Sequence, residues 1–315
     1  MMQDMAVTKY LGLDLGGTNI KSCVLEIVDG DLAVIENDTF PTGAELGPES
    51  VAQKLIEIAQ SCISVHPDVS SIGLGVPGTF DHKTGIVKVF PNLTGPWDGF
   101  PLVKIMNENL PIHVRLINDA RAFSLAEAIL GAARNKELVA CLVLGTGVGG
   151  GLIFNGKVHM GATDGAGEIA HQIVQVNGPL CGCGQFGCLE TFVSSAALCS
   201  NAGTKSPAEA YEKALAGDSK CLAAFEDMGE WLGLAIANLV NLLGPDVFVI
   251  GGGVAQSGEL LLNLIRKSAE KHLKLFEKKF ITIVAAELGT YAGSIGAALY
   301  GAINAGAKFN LTSIT

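Results

Sequence analysis

The chain has 315 residues, of which 49% are hydrophobic and 17% charged, and its formal net charge is −10. That length exceeds one comfortable core and fits two domains, and the apolar content argues against disorder. The acidic balance disfavours nucleic-acid and anionic-membrane partners, which select basic surfaces. No apolar stretch reaches the ~20 residues of a membrane span. The most apolar region, LGLAIANLVNLLGPDVFVIGGGVA, is broken by Asn238, Asn241, Pro245 and Asp246. MMQDMAVTKY carries no basic-then-apolar leader, so a cytoplasmic protein is expected.

Residues 7–15, 20–28 and 32–38 are rich in Val, Ile and Leu and separated by turn residues, which predicts three consecutive strands. Val51, Leu55, Ile58, Cys62 and Val65 recur at helical spacing over 49–65. A strand over 71–76, a helix near 101–110 and a strand over 112–117 follow. A long helix is predicted just after Asn118-Asp119. The opening pattern then recurs: an apolar strand at 138–144, a Gly turn at 145–148 and a strand at 149–154. LGLDLGGTN and CLVLGTGVG read as one device used twice, so an internal duplication is expected.

The second half is mostly helical. Ser206-Pro207-Ala208-Glu209 has the form of a capping box. Phe225, Met228, Leu232, Ala235, Leu239 and Leu242 keep helical spacing up to the Gly244-Pro245 stop. DVFVI is a buried strand, and GGG at 251–253 leads to a helix from about Ser257. FITIVAA and a small-residue helix from about Tyr291 close the chain. Strands alternating with helices predict two α/β domains facing a central cleft, divided as 1–118 plus about 303–315 and 119–302.

Two glycine turns are candidate phosphate loops. Gly16 and Gly17 can turn backbone N–H groups toward an anion, and Thr18 adds a hydroxyl donor. Asp14, at the preceding strand end, suits Mg²⁺, which prefers oxygen ligands. Leu144-Gly145-Thr146-Gly147-Val148-Gly149 offers a second turn of this kind. Neither is a P-loop, because no G-x-x-x-x-G-K-[ST] occurs. Neither is a dinucleotide fingerprint, because a strand rather than a helix follows Gly16-Gly17. Asp119, where a strand gives way to a helix, is placed to accept a proton from an attacking hydroxyl, although Asn118 and Asp119 are also good helix caps.

Of the eight cysteines, Cys181, Cys183 and Cys188 crowd into CGCGQFGC, ten residues beyond His171. One His and three Cys in so short a segment match a tetrahedral structural Zn²⁺ site, closed to catalytic water. Its expected task is to fix His171, Glu168 and Glu190 beside a sugar pocket. Cys23, Cys62, Cys141, Cys199 and Cys221 sit in apolar surroundings and are expected in the core.

Together these motifs resemble the ROK family of sugar kinases and repressors, within the hexokinase–actin ATPase superfamily. The likeness runs through DLGGTN, Val76-Pro77-Gly78, FPNLTG, NDA, LGTGVGGG, GAGEIAH, CGCGQFGCLE and VIGGGVA. It implies two actin-like ATPase (ribonuclease H-like) domains and transfer of the γ-phosphoryl of ATP to a hexose 6-hydroxyl, glucose being favoured. It further implies Asp119 as catalytic base, and Gly78, Asn92, Asn118, Asp119, Glu168, His171 and Glu190 around the sugar. Gly16, Gly17, Thr18, Thr146, Gly147 and Gly252 would line the ATP site, and His171, Cys181, Cys183 and Cys188 would hold zinc. Two strings depart from the family pattern on the sugar side: Ala170 stands where Gly usually precedes the His, and NLTGPW replaces the usual Asn-Leu-Pro-Gly-Trp. N-acetylhexosamines and other hexoses stay open as acceptors, and polyphosphate as a donor. The family's repressors carry a DNA-binding domain ahead of DLGGT, whereas Asp14 comes almost at once here. A homodimer or homotetramer is implied.

Overall fold

Strands β1 (Val7–Leu15), β2 (Asn19–Val28) and β3 (Asp31–Pro41) form an antiparallel meander. The computed structural model describes residues 7–275 and 281–310. β1 and β2 are buried along most of their length, while β3 alternates exposed and part-buried positions, as an edge strand does. Helix α1 (Pro48–Val65) starts with Pro at its first position and buries Val51, Leu55, Ile56 and Ile58. β4 (Val69–Val76) then pairs parallel to β1. A small hairpin of β5 (Thr79–Phe80) and β6 (Val87–Val89) and helix α2 (Leu102–Asn109) lead to β7 (Val114–Asn118), parallel to β4. The sheet order is β3-β2-β1-β4-β7. α3 (Asp119–Ile129) follows β7 without a gap.

The second sheet repeats this plan. β8 (Leu138–Leu144), β9 (Val148–Phe154) and β10 (Lys157–Val158) form the meander. β11 (Val247–Gly251) and β12 (Ile283–Ala285) add in parallel, giving the order β10-β9-β8-β11-β12. The two sheets thus share strand order and strand sense, which supports the expected duplication. Between β10 and β11 lie the cysteine-rich segment and helices α4 (Glu190–Val193), α5 (Ser195–Ala202), α6 (Pro207–Leu215) and α7 (Ser219–Leu243). α8 (Glu259–His272) links β11 to β12, and α9 (Ala292–Asn304) closes the chain.

α7 runs from a cap in which Asp218 accepts from the Cys221 amide to Gly244, whose φ of 61° ends the helix before Pro245. α6 begins at Ser206, whose hydroxyl accepts from the Glu209 amide at 3.1 Å. The Glu209 carboxylate accepts instead from the Lys205 amide, one residue outside the expected capping box, and pairs with Lys213. FITIVAA opens at Phe280, outside the described residues; its strand is Ile283–Ala285. Cys23, Cys141 and Cys221 are buried, and Cys62 and Cys199 partly so.

The chain divides into one unit holding residues up to Leu130 and from Leu288 onward, and another spanning Gly131–Glu287. These bounds differ from those read off the sequence, because α3 and α9 pack on the first sheet. α9 lies so close to it that Gly12 and Gly73 are needed where strand meets helix: a Cβ on Gly73 would overlap the Ala297 carbonyl. Each unit has its own core, around Leu11, Leu13, Leu55 and Leu74 in the first and around Leu142, Phe225, Leu232 and Phe248 in the second. Among the described residues, no helix is long and apolar enough to cross a membrane.

Candidate active site

In the first unit the parallel strands β1, β4 and β7 bring their carboxyl ends to one edge. Asp14 pairs with Gly75 and Val76 with Asn118 across these strands. The Asn118 side chain caps α3 by accepting from the Arg121 amide at 3.2 Å, and donates to the Gly78 carbonyl at 3.3 Å. Asn118 is therefore the cap, and Asp119 occupies the first helical position. One Asp119 oxygen accepts from the Ala120 amide at 2.8 Å, in a half-buried setting. A helix N-terminus favours a carboxylate in this position.

Asp14 is pushed up from the ordinary 3.8 to about 7. Burial is the largest cause, the negative charge of Asp119 the second, and Lys21 opposes both. Lys21 faces Asp14 across the β1–β2 ladder and donates to the Thr290 carbonyl at 2.7 Å. Gly293 lies against the Asp14 carboxylate, where a side chain would collide with it. Two carboxyl groups whose charges oppose each other beside a glycine hairpin form a site suited to a hard cation.

Gly16, Gly17 and Thr18 make the β1–β2 turn. Gly16 donates to the Asn19 carbonyl at 3.0 Å. The Thr42 hydroxyl donates to the Gly16 carbonyl at 2.7 Å, and the Thr42 amide to Thr18 at 2.9 Å. The Asn92 backbone rests on this turn, since a Cβ at Gly17 would lie 2.8 Å from the Asn92 carbonyl oxygen. Asn92 has φ of 66° and Gly78 has φ of 75°, two tight turns that bring both residues to the same edge. In the NLTGPW string, Trp97 stacks at ring distances of 5.0 and 5.4 Å from Phe90 and Phe100, and its indole donates to the Thr94 carbonyl.

In the second unit Gly145, Thr146 and Gly147 make the β8–β9 turn. Gly252, with φ of 88°, presses on Leu144 so closely that a Cβ would lie 2.7 Å from its amide nitrogen. Thr146, Gly147 and Gly252 thereby share one edge, at the carboxyl ends of the parallel strands β8 and β11. Glu190 comes to the same turn: Val148 donates to its Oε2 at 3.0 Å, and the Cys181 thiol to its Oε1 at 3.4 Å.

Glu168 is exposed and opens the short 3₁₀ turn Ile169–His171, which lies on β9. That approach needs Gly150, where a Cβ would stand 2.8 Å from the Gly167 carbonyl. Ala170, the middle residue of this turn, is buried at 1% exposure, so the packing accommodates a methyl where the family pattern has glycine. His171 turns Nδ1 toward Cys181 at 3.7 Å, and Cys183 stands 3.6 Å from Cys188. The four ligand atoms of His171, Cys181, Cys183 and Cys188 all lie within 4.8 Å of one another.

The sequence-derived residues thus fall into two groups. Asp14, Gly16, Gly17, Thr18, Gly78, Asn92, Asn118 and Asp119 gather on the first unit. Thr146, Gly147, Glu168, His171, Cys181, Cys183, Cys188, Glu190 and Gly252 gather on the second. Lys21, Thr42 and Gly293 were not singled out by sequence reasoning. Of these only Lys21 left a signal, because pairing Leu15 with Ile20, the facing ends of the two predicted strands, sets it opposite Asp14.

The ROK family model matches residues 10–301. A glucokinase from Thermotoga maritima is 31% identical, over 93% of this chain and 97% of its own. The ROK hexokinase from Thermus thermophilus superposes with a TM-score of 0.82 at 35% identity, covering 94% of this chain and 99% of its own. A ROK family glucokinase from Streptomyces griseus, solved in complex with glucose and AMPPNP, gives 0.76 at 31% identity and the same coverage. The duplicated β3-β2-β1-β4-β7 plan is accordingly the actin-like ATPase fold expected from the sequence.

Proposed function

The chain belongs to the ROK family, and on that premise we propose that it is an ATP-dependent hexose kinase acting on the 6-hydroxyl, with glucose as acceptor. The observation that carries this reading is the pairing of Asp119 with Asp14. One carboxylate stands at the first turn of α3, where it can take a proton from a sugar hydroxyl. The other, Asp14, is close enough to feel the charge of the first, beside the Gly16-Gly17-Thr18 turn. Asp119 is the base. Asp14 holds Mg²⁺, directly or through water. Gly16, Gly17, Thr18, Thr146, Gly147 and Gly252 meet the phosphates through backbone amides and two hydroxyls. Gly78, Asn92, Asn118, Glu168, His171 and Glu190 meet the sugar, whose hydroxyls donate well to carboxylates.

His171, Cys181, Cys183 and Cys188 fit a structural zinc. Tetrahedral Zn²⁺ with ~2.3 Å bonds to sulfur needs sulfurs ~3.8 Å apart. The Cys183–Cys188 sulfur separation of 3.6 Å meets that demand, and the 3.7 Å between His171 Nδ1 and Cys181 Sγ is close to the ~3.6 Å of a nitrogen–sulfur ligand pair. When bound, the ion supplies cross-linking of a glycine-rich loop and no chemistry on the phosphate. Cysteines that form no disulfide among the described residues suit a reducing compartment, and we assign the enzyme to the cytoplasm, as a homodimer or homotetramer.

The test is a coupled assay of purified protein with MgATP across a hexose panel: glucose, mannose, fructose, N-acetylglucosamine and N-acetylmannosamine. The reading requires glucose to give the highest kcat/KM and Asp119→Asn to lower kcat at least about 100-fold. ATP consumption that no sugar stimulates would overturn it. Polyphosphate in place of ATP tests the donor.

A further inference from the structure

We propose that the segment leaving the cysteine cluster, Glu190–Ser195, positions the nucleotide by locking the Gly145–Gly147 turn from both sides. The inference rests on reading that turn as a phosphate loop. Two hydrogen bonds do the locking. The Ser195 amide donates to the Gly145 carbonyl at 2.9 Å, before the turn, and the Val148 amide donates to Glu190 Oε2 at 3.0 Å, after it. Gly147 lies between them so tightly that a Cβ there would stand 2.8 Å from the same Glu190 oxygen.

The segment is itself fixed by the cluster. Cys188 directly precedes Leu189-Glu190, the Leu189 amide donates to Gln172 at 3.0 Å, and Thr191 Oγ1 donates to the Cys188 carbonyl at 2.8 Å. Leu189 and Val193 anchor it in the core at 0% exposure. A glycine turn left alone samples many conformations, and ordering it on ligand arrival costs affinity. External anchors remove that cost in advance. The first unit solves the same problem with another residue: Thr42 Oγ1 holds the Gly16 carbonyl as the Ser195 amide holds that of Gly145.

Glu190 then serves two ligands with two oxygens. Oε2 is committed to the turn. Oε1 accepts from the Cys181 thiol at 3.4 Å, which ties Glu190 to the cluster directly. The cluster thereby orders the phosphate loop as well as the sugar side.

Ser195→Pro separates these roles. Ser195 is the first residue of α5, where proline is accepted, and Ser194 already has φ −71° and ψ 161°, the conformation required before proline. The change deletes one amide donor and touches no zinc or sugar ligand. By calorimetry without sugar, the Kd for Mg·AMP-PNP is expected to rise about five- to tenfold, the value of one backbone hydrogen bond. Zinc content and glucose Kd should stay within twofold. Chelating the zinc from wild-type protein should weaken AMP-PNP binding too. Should Ser195→Pro fail to fold, Glu190→Gln and Glu190→Ala decide instead: Gln keeps an acceptor for Val148 and should retain nucleotide affinity, while Ala should lose it. Unchanged AMP-PNP affinity in Ser195→Pro, or in the chelated protein and Glu190→Ala, overturns the inference. If Thr146→Ala and Gly147→Val also bind AMP-PNP normally, the phosphate-loop reading has failed instead.

Discussion

Asp14 gives the sharpest pH prediction. Without metal its carboxyl titrates near 7, because burial and the Asp119 charge both penalise ionisation. A Mg²⁺ ligand must be ionised, so MgATP binding should follow the deprotonated fraction. That fraction is about one tenth at pH 6 and about nine tenths at pH 8, so the Kd for MgATP should fall about tenfold over that span at saturating magnesium. The stability of the unliganded protein should move the other way. The folded-state pKa lies above the unfolded 3.8, so the protonated form is the one folding favours. Its contribution is fully present below about pH 4 and is lost as the pH rises through 7, by at most about 4 kcal/mol at 1.36 kcal/mol per unit. Asp14→Asn should flatten both profiles. Asp119→Asn removes the second cause of the shift and should move the binding inflection to lower pH. Calorimetry from pH 5.5 to 8.5 with MgATP, beside thermal unfolding of the same samples, reads both. A wild-type Kd that is flat across pH 6–8, or an Asp14→Asn profile that keeps the wild-type slope, refutes the assignment of Asp14 to the metal.

Asp119→Asn keeps the acceptor for the Ala120 amide, so the fold and glucose binding should persist. Loss of a general base should lower kcat by about 10²- to 10⁴-fold, measured in the coupled assay. Gly73→Val puts a branched Cβ where the Ala297 carbonyl lies; α9 must shift, at a cost of about 1–3 kcal/mol or more, visible as a Tm lower by several degrees. Cys181→Ser should reduce zinc from one equivalent to a trace by elemental analysis and weaken glucose binding together. Full glucose affinity in a zinc-free protein would show the cluster to be irrelevant to the sugar.

The backbone plan was legible because most strands and helices here obey a single local rule. β1, β8 and β11 are apolar runs closed by glycine, and α1 and α7 keep their periodicity from cap to stop. The domain bounds were not legible, because nothing local in α3 or α9 states which sheet they cover. That follows from small residues meeting across a distance in sequence, Gly12 and Gly73 against Ser294 and Ala297. In the site, Asn118 and Asp119 were readable as a pair, but their division of labour was not. Either can cap a helix, and only coordinates show Asn118 doing so. Thr42 was invisible for a like reason: it sits beyond β3, 26 residues from the glycine whose carbonyl it holds.

The two matching sheets also explain why the chemistry is lopsided. Aligning the turns sets Asp14-Leu15-Gly16 of β1 against Val143-Leu144-Gly145 of β8. Both copies keep the glycine turn whose amides suit phosphate, and both hold the first glycine's carbonyl from outside. Among the described residues, the first copy has the carboxylate Asp14 where the second has Val143, and the helix after its last strand begins with Asp119 whereas α9, after β12, has no acidic residue in its first turn. A phosphoryl group in transfer needs one cation at its phosphate oxygens and one base at the attacking hydroxyl, and a second pair of carboxylates would add repulsion without a second reaction to serve. The second copy's acidic residue at its turn, Glu190, arrives from elsewhere in the chain and spends one oxygen on the Val148 amide. On the proposed reading, the matching sheets offer two phosphate cradles, and the charges that discriminate base from cradle stand on one.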